Sequence, residues 1–113
     1  MSQIQSIDQP INVGTVVYTK WLKSGQLQAR WTHSQHGSGV GEATGGPESG
    51  FAGEYQIIYR DNAGNHLPEM TLKIIASTSD ESYRLEWWRD GELVSEGHGM
   101  MLGEQLVAGW VDV

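Results

Sequence analysis

The stretch Tyr83-Arg84-Leu85-Glu86-Trp87-Trp88-Arg89-Asp90-Gly91-Glu92-Leu93-Val94 decides the fold of this chain. Apolar and polar side chains alternate from Tyr83 to Trp87. Asp90-Gly91 then offers two adjacent turn residues before a second β-prone run begins. An alternating run, a tight turn and another run make an antiparallel hairpin with one wet face. The same alternation recurs at Leu27/Ala29/Trp31, Tyr55/Ile57/Tyr59 and Met70/Leu72/Ile74, interleaved with Gln28, Arg30, Glu54, Gln56 and Lys73. No window supports a helix, because glycine or period-two alternation interrupts every candidate.

Outward from that hairpin, turn residues divide the chain into eight predicted strands: Thr15–Leu22, Gln26–His33, Ser38–Thr44, Glu54–Arg60, Glu69–Ala76, Ser82–Trp88, Glu92–Met101 and Gln105–Val111. Ser24-Gly25 is a second hairpin turn, Asp61–Asn65 and Ser77–Glu81 are longer ones, and Gly45–Gly53, with Pro47, is the long loop. Residues 1–13 read as a flexible N-terminal arm and residues 14–113 as one domain. An internal pseudo-repeat organises that domain. Leu27-Gln-Ala-Arg-Trp31, Gly39-Val-Gly41 and Gly53-Glu54 are echoed by Tyr83-Arg-Leu-Glu-Trp87, Gly97-His-Gly99 and Gly103-Glu104. Two four-stranded halves with neighbour pairing predict an eight-stranded antiparallel up-and-down β-barrel, which removes exposed sheet edges and encloses a narrow lumen.

On these residues, from 14 to 111, the chain resembles the calycin group, the small barrels typified by lipocalins and avidins, and most of all its compact bacterial members. The N-terminal Gly-x-Trp of lipocalins is missing, since Gly14 and Trp21 are too far apart to supply it. The resemblance therefore transfers no functional residue. It implies a ligand-holding barrel, by analogy of fold.

Composition narrows the functions. Among 113 residues, 14 acidic side chains face 7 Lys and Arg, a net charge of −7, which leaves little to neutralise phosphates and argues against nucleic acid and anionic membrane surfaces as partners. Cysteine is absent, which removes disulfides, thiolate nucleophiles and cysteine-held metals. The first residues lack a basic and apolar leader, and no apolar run reaches the ~18 residues of a membrane helix, so the expected compartment is the cytoplasm.

Lumen contents depend on hairpin register, because a slip of one residue exchanges the two faces. If Asp90-Gly91 is a two-residue turn, Trp87 opposes Val94, and Glu96 and His98 point inward; the same choice at Ser24-Gly25 brings Lys20 inside. If each loop has three residues closed by a glycine bulge, Trp87 opposes Leu93, Trp21 opposes Leu27, and Lys20, Glu96 and His98 face water. An unpaired charge in an apolar lumen costs several kcal/mol, so the bulged register is favoured. The lumen then gathers Trp21, Trp31, Tyr55, Tyr59, Tyr83, Trp87 and Trp110. The space beside them comes from Gly39, Gly41, Gly97 and Gly99, and Thr19 or Ser95 are the orienting hydroxyls. Such a site suits a small hydrophobic or aromatic molecule and calls for no cofactor. The competing reading is that the rings simply fill a narrow core.

Other constellations are weaker. His33-Ser-Gln-His36 has the spacing of a metal pair, with Glu42 or water as a further ligand, although exposed turn histidines are the commoner case. Glu96 and His98 share a strand face, and an isomerase or cyclase using them needs the two-residue turn. Ser38 and Ser95 lack a nucleophile elbow, and Gly37–Gly41 lacks the lysine of a phosphate loop. Trp88 and Tyr18, outward in the favoured register, suit a protein contact such as a homodimer, and an interaction domain is the alternative to small-molecule binding.

Overall fold

The computed structural model describes residues 12–20, 25–78 and 81–113. Eight strands follow in order: β1 (Gly14–Lys20), β2 (Leu27–His33), β3 (Gly37–Thr44), β4 (Gly53–Asp61), β5 (Met70–Ala76), β6 (Ser82–Arg89), β7 (Glu92–Leu102) and β8 (Gln105–Asp112). Each pairs antiparallel with the next, and β8 closes on β1, giving a complete barrel with no helix among the described residues. The period-two pattern is the cause. Along β2, Leu27, Ala29, Trp31 and His33 are buried while the residues between them are exposed. Val16, Tyr18, Ile57, Leu72, Leu85 and Leu106 carry the same alternation round the ring and are essentially inaccessible. The repeated segments β2/β6, β3/β7 and β4/β8 sit four strands apart and so face one another across the barrel.

Both hairpins depart from the favoured register, for different reasons. Asp90 and Gly91 have φ of 51° and 79°, so this is a two-residue turn of type I′, and Arg89 pairs with Glu92. A bulge between Trp87 and Trp88 then brings Trp87 opposite Ser95, Leu85 opposite Gly97 and Tyr83 opposite Gly99. The extra residue sits in β7 rather than in the turn. Glu96 and His98 consequently face outward, as the bulged register required, although every pairing is displaced.

At the first hairpin, Lys20 pairs with Leu27, Tyr18 with Ala29 and Val16 with Trp31. Tyr18, expected outside, is therefore fully buried, and Thr19, expected inside, is exposed and accepts a hydrogen bond from Gln105 at 3.0 Å. Lys20 lies on the inward side yet remains tolerable. It stands at the strand end, where its ammonium reaches the Pro47 carbonyl and lies 5.8 Å from the Tyr55 ring centre. Trp21 and Ser24 of the expected turn lie outside the described residues.

The two ends of the barrel differ. At the end where β4 begins, the 45–52 loop folds beneath the strands. Phe51 is buried there, its carbonyl accepts from the Tyr55 hydroxyl at 2.9 Å, and the Gly46 amide donates to the Gly25 carbonyl at 3.2 Å. Gly46 lies so close to the Tyr55 ring that a Cβ would fall 1.9 Å from it. The opposite end, where β1 starts and β8 finishes, is open.

Candidate functional site

A cavity of about 720 Å³ enters the barrel from that open end. Its walls are Trp31, Tyr59, Trp87 and Trp110 with Val16 and Met70; Asp61, Arg89, Glu92 and Asp112 stand at its rim. Inward parity puts the rings there, and glycines opposite make room. A Cβ at Gly41 would lie 2.6 Å from Tyr59, and one at Gly97 would lie 2.4 Å from the Gly109 carbonyl and 3.2 Å from Trp87. Trp31 meets Tyr59 edge-on at 6.3 Å, and its indole N–H is satisfied by the Val40 carbonyl at 3.1 Å.

Beneath these walls lies a polar cluster. Trp87 Nε1 donates to the Tyr59 hydroxyl at 2.7 Å, and the hydroxyls of Tyr59 and Tyr18 are 2.7 Å apart. Burial drives both phenols well above their usual pKa, so both keep their protons. Desolvation is the largest cause at each; at Tyr18 the neighbouring Tyr59 adds to it.

A second network closes over the rim. Ser95 Oγ donates to Asp112 Oδ1 at 2.8 Å, His36 Nε2 lies 3.3 Å from Asp112 Oδ2, and His33 Nε2 lies 3.1 Å from Asn12 Oδ1. Asn12 also grips the Asp112 backbone, donating to its carbonyl at 3.0 Å and accepting from its amide at 3.2 Å. Asn12 and Val13 are thereby tied to the barrel, Val13 through its carbonyl, which accepts from the Ser34 amide at 2.9 Å, and its amide, which donates to Ser34 Oγ at 3.2 Å. The His33 ring is sandwiched between His36 at 4.3 Å and Trp110 at 4.7 Å. Burial lowers the His33 pKa, and His36 acts in the same direction against the weaker opposing pull of Asp112.

His33, His36 and Asp112 bring three donor atoms within 4.8 Å of one another. The two separations to Asp112 Oδ2, 3.3 and 3.8 Å, lie near the ~3.3 Å edge of a tetrahedron with zinc-length bonds. The protonation state opposes that use. The Gln35 amide donates to His33 Nδ1 at 2.9 Å, so the neutral ring carries its hydrogen on Nε2, the atom a metal would need. A metal-bound histidine carries its hydrogen on the other nitrogen and gives it to an acceptor. As built, the cluster is a hydrogen-bond network. Glu42, the sequence-expected third ligand, is elsewhere, paired on the outer face with Arg60 at 3.1 Å.

Of the sequence-predicted ligand residues, Trp31, Tyr59, Trp87 and Trp110 meet at the open cavity. Tyr55 and Tyr83 point inward at the plugged end, and Trp21 lies outside the described residues. Of the two orienting hydroxyls, Ser95 is inside and Thr19 is not. Glu96 and His98 lie on the outer face, Glu96 3.7 Å from Arg84. Trp88 is outward and half-buried, with its N–H on Glu86 at 3.0 Å and Lys73 4.9 Å above its ring. Sequence reasoning took Tyr18 as outward, weighed His33 only as half of a metal pair, and passed over Asp112. The signal was present for the last two, since each continues an inward series by one step: Leu27, Ala29, Trp31, His33, and Leu106, Ala108, Trp110, Asp112. Compared with protein families, curated proteins and solved structures, the chain matches none.

Proposed function

We propose that this protein is a non-enzymatic, calycin-like β-barrel that binds a small apolar or aromatic molecule in the cavity walled by Trp31, Tyr59, Trp87 and Trp110. The observation that carries the reading is the asymmetry of the barrel. One end is packed by Phe51 and Tyr55, while the other opens into about 720 Å³ faced with aromatic rings. That volume lies in the range of small-molecule sites, roughly 300–1,000 Å³, and aromatic walls are joined there by a set of polar groups that includes His36, Ser95 and Asp112. The alternative of an interaction domain loses half its basis, because Tyr18 is buried and Trp88 is engaged by Glu86 and Lys73. The isomerase alternative needed Glu96 and His98 in the lumen, and they stand outside it.

Tryptophan fluorescence tests the reading, because three of the indoles line the cavity. Saturable quenching by members of a library of apolar and aromatic compounds is expected. Val94→Trp, which fills part of the cavity that Val94 lines, is expected to abolish it. A library without a saturating compound, or quenching unchanged in Val94→Trp, would retire the proposal.

A further inference from the structure

Three polar hydrogens meet beneath the cavity, and the described residues offer acceptors for two. Indole only donates, and Trp87 Nε1–H goes to the Tyr59 oxygen at 2.7 Å. The contact between Tyr18 and Tyr59 takes one more hydrogen, and either phenol can supply it. If Tyr59 donates, the Tyr18 hydrogen is stranded without an acceptor among the described residues, in a side chain of zero exposure. A stranded buried donor forfeits its hydration with no return. If Tyr18 donates, Tyr59 accepts twice and its own hydrogen is the one left over. Of the two phenols, Tyr59 is the one that lines the cavity. The second arrangement therefore leaves the spare hydrogen on the phenol that borders that space. Accepting two hydrogen bonds also polarises the Tyr59 hydroxyl and strengthens it as a donor.

The surroundings restrict the acceptor. Among the described residues no lysine lines the cavity, Arg89 is confined to the rim, and three carboxylates, Asp61, Glu92 and Asp112, flank the entrance, so an anion meets like charge on the way in. Three indoles favour a flat ring system. We propose that the cavity takes a neutral, planar aromatic molecule bearing a carbonyl oxygen, and that Tyr59 donates its hydroxyl hydrogen to that oxygen. The inference rests on the binding reading above and adds the chemistry of the occupant.

Matched pairs that differ only by the carbonyl test it: indanone with indane, fluorenone with fluorene, and anthrone with dihydroanthracene, each measured by equilibrium dialysis. In the wild-type protein, the ketone of the best-fitting pair is expected to bind on the order of fivefold more tightly, the worth of one net hydrogen bond. Tyr59→Phe should erase the difference within each pair, whatever it does to the affinity of both members. Tyr18→Phe should keep the preference, reduced. The carbonyl stretch of bound fluorenone should fall below its position in cyclohexane, and return in Tyr59→Phe. Equal affinity within every pair that binds would overturn the Tyr59 proposal, assign its hydrogen to water, and leave the binding cavity standing. Binding by no member of any pair would overturn both.

Discussion

Gly14→Ala should be among the most damaging one-carbon changes in this barrel. Gly14 faces Trp110 across the β1–β8 seam, and an added Cβ would lie 2.2 Å from Trp110 Cε2 and 2.5 Å from Cζ2 and Nε1. Carbon contacts settle at ~3.5–4.0 Å, so the indole must retreat by more than about 1 Å. Two neighbours limit that retreat, the His33 ring at 4.7 Å and the Trp87 ring at 6.0 Å. Overpacking of this kind costs about 1–3 kcal/mol. In a domain of this size, about 2 kcal/mol lowers the melting temperature by roughly 10 °C. Urea unfolding followed by tryptophan fluorescence should show a lower midpoint at unchanged slope. Trp110→Leu in the Gly14→Ala background removes the clash, so the double variant should be more stable than the sum of the single effects, with a coupling of about 1 kcal/mol or more. Gly14→Ala within about 0.3 kcal/mol of wild type, or strict additivity in the cycle, would refute the clash as the cause.

His33 supplies a pH signature. Its folded pKa lies below the unfolded value of about 6.5, so the unfolded chain binds the proton more readily. Its stabilising effect is complete above that value and declines as the pH falls from it toward the folded pKa; the urea midpoint should drop across this window in wild type and much less in His33→Gln. Equal pH slopes in the two proteins would contradict the assignment. Asp90→Val places a β-branched residue at φ 51° and should cost about 1–2 kcal/mol by thermal unfolding, whereas Asp90→Gly should be close to neutral. Equal stability of the two variants would argue against the type I′ turn. Equimolar zinc should leave the melting temperature unchanged, because the Gln35 amide holds the hydrogen of His33 on Nε2. A rise on adding zinc would mean that this bond gives way to the metal.

The strands were legible because period-two alternation is a local property, and the observed boundaries lie close to those read from the sequence. Register was not, because it depends on where an extra residue is accommodated. At the second hairpin the expected bulge exists but lies within β7, so the inward set of Ser95, Gly97 and Gly99 came out correctly although their partners did not. At the first, the argument from charge burial failed on Lys20. A lysine at a strand end can point inward and still deliver its ammonium to a carbonyl at the margin, and that freedom turned Tyr18 inside. The aromatic half of the site followed from alternation alone. The rim network did not, because His33 was weighed only as one of a metal-spaced pair and Asp112 lay beyond the predicted end of the last strand, so neither was read as the next member of an inward series.

The plug formed by Phe51 and Tyr55 has a kinetic corollary. Among the described residues, the barrel has a single doorway, so arrival and departure of an occupant share one route past Asp61, Arg89, Glu92 and Asp112. Substitutions at that threshold should alter residence time in both directions while barely touching equilibrium affinity. Changes to the indoles behind it should act mainly on the rate of escape.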